Sequence, residues 1–133
     1  MMTTPVFRVI VAGSRDFNNY ELLKQKCDTL LSQKRQTHSI VIVSGTARGA
    51  DRLGERYAAE RGYRVERFPA DWDRDGIAAG PIRNSQMAAH ADALVAFWDG
   101  KSRGTGDMIE KAKERKLLVR IVRTYVTNQC GCK

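Results

Sequence analysis

Four short segments gather glycine, hydroxyl, arginine and aspartate residues: Gly13-Ser14-Arg15-Asp16, Gly45-Thr46-Ala47-Arg48-Gly49-Ala50-Asp51, Arg83-Asn84, and the stretch from Asp99 to Asp107. Glycine lets a backbone approach a ligand closely and take positive φ. A helix that starts just after such a loop aims its free N–H groups and positive dipole end at the same place. Arginine adds bidentate recognition of phosphate oxygens. Each segment holds one arginine: Arg15, Arg48, Arg83 and Arg103. The combination describes an anion site, and phosphate is the anion such sites most often hold. The candidate ligand contacts are Gly13, Ser14 and Arg15; Gly45, Thr46, Arg48, Gly49 and Asp51; Arg83 and Asn84; and Gly100, Ser102, Arg103, Gly104 and Thr105.

Each residue also has a plainer use. Gly13 can be a turn glycine, and Asp51 a first-turn carboxylate closing a tight turn. Arg15 and Arg83 can pair with Asp16 or Asp92. Trp72 and Trp98, both placed at strand ends on the ligand side, can stack on a base or pack at the sheet edge. Catalytic groups are sparse. His38 precedes a strand and belongs at the far end of the sheet, His90 lies in or at the end of a helix, and no Ser/His or Cys/His pair falls in the cleft. Carboxylates are left for acid–base work: Asp16, Asp51, Asp99 and Asp107, with Asp99 and Asp107 the leading candidates. All four can equally cap helices or orient arginines. No metal site is expected.

The elements that must position these loops follow from periodicity. Val6 to Ala12 (VFRVIVA) and Ser39 to Ser44 (SIVIVS) are continuous apolar runs, as in strands of a buried parallel sheet. Arg64 to Phe68, Ala93 to Phe97 and Leu117 to Val122 complete five strands. Helical spacing marks Tyr20 to Arg35, Ala50 to Arg61, Arg83 to Ala91 and Gly104 to Lys116, while Ala70 to Gly80 reads as a loop. Strands alternating with helices predict an α/β fold: one Rossmann-like domain over residues 1–123, a five-stranded parallel sheet with helices on both faces. Ligands then bind outside the carboxyl ends of the strands, where all four segments fall. Residues 124–133 are expected to form a poorly ordered tail.

Composition narrows the function class. Of 133 residues, 42% are hydrophobic and 29% charged, which fits one globular domain. No apolar run reaches the roughly 18 residues that cross a bilayer. Met1 to Pro5 lacks a basic region followed by an apolar stretch, so no secretion signal is expected and the cytoplasm is the expected location. Three cysteines, with Cys27 in an amphipathic helix and Cys130 and Cys132 in the tail, argue against a disulfide framework. The net charge of +8 favours anionic partners. The G-x-G-x-x-G fingerprint and the G-x-x-x-x-G-K-[ST] loop are both absent, which disfavours ordinary NAD-dependent dehydrogenases and P-loop NTPases.

Taken together, GSRDF, SGTARGAD, PIRNSQMAAHADALVAFWDG and KSRGTGDMIEKAKE resemble the YspA-like branch of the SLOG superfamily, over nearly all of Val6 to Val122. The resemblance implies a Rossmann-like fold that binds nucleotides, nucleotide-derived signals or nucleic acid. It also implies a possible homo-oligomer, since relatives often self-associate beside the ligand site. The Lonely Guy phosphoribohydrolases are similar at greater distance. Arg83, Met87, Asp92, Ala93, Gly104 and Thr105 match their pattern, but Met108 stands where they carry glutamate. The DNA-binding mediator DprA has a similar core. The expectation is a sensor or binding module for a small phosphate-bearing ligand, a nucleotide or an ADP-ribose-like derivative, with no required cofactor and no membrane. Two alternatives stand beside it: a hydrolase of an N-glycosidic or phosphate ester bond, and a DNA- or RNA-binding domain.

Overall fold

A computed structural model describes residues 4–124. Five parallel strands, β1 (Val6–Gly13), β2 (Ser39–Ser44), β3 (Arg64–Arg67), β4 (Ala93–Trp98) and β5 (Leu118–Arg123), lie in the order β3-β2-β1-β4-β5. Alternation along β1 divides the core. Phe7, Val9 and Val11 face α1 (Tyr20–Leu31) and α3 (Ala50–Arg61), whereas Ile10 and Ala12 face α5 (Ala79–His90) and α6 (Arg103–Glu114). The sheet is therefore covered on both sides, and its central strands carry no polar face. The chain runs outward from β1 through β2 to β3, then crosses back to β4 on the other side of β1. That reversal opens a crevice at the carboxyl ends of β1 and β4.

The elements differ in detail from their periodicity. The first helical run breaks after Leu31, where the Ser32 hydroxyl donates to the Thr29 carbonyl (2.9 Å), and a short α2 (Lys34–Thr37) follows. Residues 70–80 are not all loop. They hold α4 (Trp72–Asp75) and a 3-10 turn (Gly76–Ala78), each too short for a periodic signature. The 3-10 turn runs directly into α5, which begins at Ala79. Pro81 falls in the first turn, where its missing N–H costs nothing. Arg83 and Asn84 therefore sit in the second turn of α5, not at its start. The tail assigned to residues 124–133, with Cys130 and Cys132, lies outside the described residues except for Thr124. No helix among the described residues is long and apolar enough to cross a membrane.

Candidate functional site

The crevice is a cleft of about 680 Å³, within the range of small-molecule sites. It is lined from the β1 loop by Gly13, Ser14, Arg15 and Asp16, from the β2 loop by Ala47 and Asp51, and from α5 by Arg83 and Asn84. The β4–α6 connection supplies Asp99, Lys101, Ser102, Arg103, Gly104, Thr105 and Asp107. A second cavity of about 440 Å³, lined by Gly45, Thr46 and Arg48, shares Arg15, Ala47, Trp72 and Arg83 with the first.

Arg83 is the centre of this arrangement. Its Nε donates to Asn84 Oδ1 (3.0 Å) and its Nη1 to the Gly45 carbonyl. Both partners are neutral. Burial pushes the guanidinium below its ordinary pKa, against the opposing pull of Asp51. Arg15, Arg48, Lys101 and Arg103 are exposed and form no ion pair among the described residues. The pairings of Arg15 and Arg83 with Asp16 or Asp92 are not formed, and Asp92 instead accepts from the Arg8 N–H (2.9 Å).

The carboxylates, by contrast, are mostly turned to internal work. Asp99 Oδ1 accepts from the N–H groups of Lys101 and Ser102, both at 2.8 Å, and these bonds hold its carboxyl below the usual range. Asp107 accepts from Asn84 Nδ2 (3.0 Å) and pairs with Lys111. Asp51, 7% exposed, accepts from the Ala47 N–H (3.1 Å) and closes the β2 loop. The N–H groups of Arg103, Gly104 and Thr105 in the first turn of α6 have no intrahelical acceptor, the first such bond being Gly106 N–H to Ser102 O (3.0 Å). The Ser14 hydroxyl is buried against the cleft.

The family model for YspA, cpYpsA-related SLOG proteins matches residues 7–74. The chain belongs to this SLOG family. Gene 61 protein of Mycobacterium phage D29 is 35% identical over 114 residues, which is 80% of this chain and 89% of that protein. DNA processing protein A (DprA) of Streptococcus pneumoniae has a similar structure: TM-score 0.69 and 16% identity, covering 93% of this chain and 52% of that one. DprA of Helicobacter pylori, described for its single-stranded DNA binding mode, is similar with TM-score 0.58 and 18% identity, covering 93% of this chain and 68% of that one. The SLOG chain thus spans about half the length of the pneumococcal protein. At such identities the likeness shows the shared fold.

Most of the sequence-derived candidates of this SLOG chain converge on the two cavities. Gly49 and Gly100 line neither. Gly49 has φ +85° and packs on the carbonyls of Ser14 and Arg15; Gly100 has φ +84° and packs on the Arg123 guanidinium. They shape the loops. Gly45 seats Arg83, because a Cβ there would stand 2.6 Å from Nη1. Trp98 is also occupied: its indole N–H donates to the Ser102 carbonyl (3.0 Å). Trp72 stands open on the wall common to both cavities. Lys101, part of the candidate stretch from Asp99 to Asp107, stands in the cleft wall, and so does Ile77, which the sequence reading missed. Ile77 left a signal, a large apolar residue alone in a polar stretch; it is 96% exposed.

The buried carboxyl of Asp51 is expected to make the stability of this SLOG chain depend on pH. Burial pushes its carboxyl up to about 6, although the Ala47 N–H and Arg83 pull it down. The native state then binds this proton more tightly than the unfolded chain, whose aspartates titrate near 4. The group's contribution is most favourable below about pH 4 and is lost as pH rises toward 6. Asp51→Asn is expected to gain on the natural protein by on the order of 2 kcal/mol between pH 4 and pH 7. Denaturant unfolding of both proteins at the two pH values measures it. An unchanged difference would remove Asp51 as the titrating group.

Proposed function

We propose that this chain is a binding module for a phosphate-bearing nucleotide or an ADP-ribose-like derivative. The observation that carries the reading is Arg83, a half-buried guanidinium whose two hydrogen bonds among the described residues both go to neutral oxygens. Removing a cation from water is costly unless an anion offsets it. Asp51 offsets part of that cost through space without a direct hydrogen bond, and a phosphate beside Arg83, in the cavity that the first turn of α6 also lines, supplies the rest. Lys101 and Arg103 add exposed positive charge at the same mouth, and the +8 net charge draws anions toward it.

Calorimetric titration of the full chain with AMP, ADP and ADP-ribose tests the reading, and absence of binding to all three overturns it. Arg103→Ala is expected to weaken the tightest of these ligands about 3- to 10-fold, as befits one solvent-screened contact to phosphate. Its unfolding free energy should stay within about 0.5 kcal/mol, because Arg103 is exposed and unpaired among the described residues. Unaltered affinity would take Arg103 out of the site.

A further inference from the structure

The site has two cationic poles with one exposed indole between them. The first pole belongs to the β4–α6 connection, where Lys101, Arg103 and the open N–H groups of α6 line the larger cavity but not the smaller. The second belongs to the β2–α3 connection, where Arg48 and Thr46 line the smaller cavity but not the larger. Their strands flank β1 on opposite sides. Within the sheet those two strands stand two spacings apart, roughly 10 Å. The poles stand on opposite sides of β1, with Arg15 and Arg83 common to both cavities, an arrangement that can take two phosphates separated by a ribose.

Trp72 lies on the wall that both cavities share, 51% exposed, with Ile77 beside it in the larger one at 96%. Ile77 is almost wholly open, and Trp72 is covered on one side only. The Trp72 ring lies over Gly80 in the first turn of α5, where even an added Cβ would only just touch it at 3.5 Å. Its exposed surface therefore offers a planar apolar platform between two anion sites, and aromatic rings of this kind stack on bases without selecting among them.

Building on the proposed nucleotide site, we infer that the ligand is a nucleoside carrying phosphates on both sides of its ribose, with its base stacked on Trp72. A free nucleoside 3′,5′-bisphosphate has this chemistry, and so does an internal nucleotide of a single strand.

The test uses the full chain with ribose 5-phosphate, AMP, adenosine 3′,5′-bisphosphate and a ten-residue oligodeoxyadenylate, titrated by calorimetry. The bisphosphate is expected to bind at least about tenfold more tightly than AMP, the worth of one additional charge-assisted phosphate contact. Arg48→Ala should erase that advantage. Trp72→Ala should bring AMP down to the affinity of ribose 5-phosphate, about a tenfold loss, while Trp72→Phe retains most of the preference. Trp72 is half exposed, so a matching thermal midpoint shows that the variants fold. Equal affinity for AMP and the bisphosphate overturns the two-pole inference and leaves the phosphate site of the proposed function standing. A base preference that survives Trp72→Ala overturns the platform. Failure of every phosphate to bind overturns both readings. The oligonucleotide separates the sources: binding tighter than the bisphosphate, with a steep salt dependence, assigns a strand, and weaker binding assigns the free nucleotide.

Discussion

Replacing Arg83 with Met is expected to weaken AMP binding about 10- to 150-fold while leaving unfolding free energy within about 1 kcal/mol. A charge-assisted hydrogen bond contributes about 1.5–3 kcal/mol, and each 1.4 kcal/mol is a factor of ten in affinity. Methionine keeps an unbranched apolar stem of similar course, so packing over Gly45 is largely retained. Removing the guanidinium leaves the Gly45 carbonyl and Asn84 Oδ1 without one donor each. Against that loss stands the relief of a desolvated cation that no carboxylate neutralises by direct contact among the described residues. The two effects are of similar size and opposite sign. Arg83→Lys separates charge from shape: it keeps the charge but loses the fork, so an intermediate affinity is expected. Calorimetry with AMP and denaturant unfolding check the pair. Intact binding in Arg83→Met would show that the phosphate sits elsewhere. A large fall in stability would show that Arg83 chiefly holds the β2 loop to α5.

The same residue marks the boundary of what the sequence disclosed. That Arg83 faces a cleft follows from the alternation of strands and helices. The continuous apolar runs of β1 and β2 have one physical use, a strand covered on both faces, and parallel strands put their following loops on one edge. The positions of Gly13 to Asp16, Gly45 to Asp51 and Asp99 to Asp107 were therefore legible. What those residues do there was not, because it depends on contacts distant in sequence. Gly49 needs its missing side chain for the carbonyls of Ser14 and Arg15, and Gly45 for Arg83, 38 residues away. Nothing local distinguishes such glycines from ones that touch a ligand. The segment around Trp72 failed for another reason. A four-residue helix joined to a 3-10 turn completes too few turns to impose a period, so it read as loop and its indole as the end of a strand. The carboxylates were ambiguous in principle, since a cap, a counter-ion and a general acid all ask for an oxygen at a loop end.

That ambiguity bears on catalysis, and the protein is expected to release no free base from AMP, GMP, CMP or UMP during overnight incubation. Breaking a glycosidic bond builds positive charge on the ribose and negative charge on the leaving base, which calls for a carboxylate beside the sugar and a proton for the base. A phosphate grip holds substrate and transition state about equally and does not speed that step. At the position where the Lonely Guy enzymes carry glutamate this chain has Met108, 1% exposed and packed in the core between α6, α5 and the sheet. Asp107 is its neighbour, rotated by about 100° on the helix, and its oxygens already serve Asn84 and Lys111. Asp99 is fixed as an anion by two backbone N–H groups, which suits a loop cap and disfavours a proton donor. Burial pushes the Asp51 carboxyl up to about 6, but it is held in the β2 loop by the Ala47 N–H. A dedicated enzyme accelerates its reaction at least ~10⁶-fold, so liquid chromatography would find its product without difficulty. Base release abolished by Asp107→Asn or by Asp51→Asn would move that carboxylate from structure to chemistry, and the module would be a phosphoribohydrolase that had replaced its glutamate.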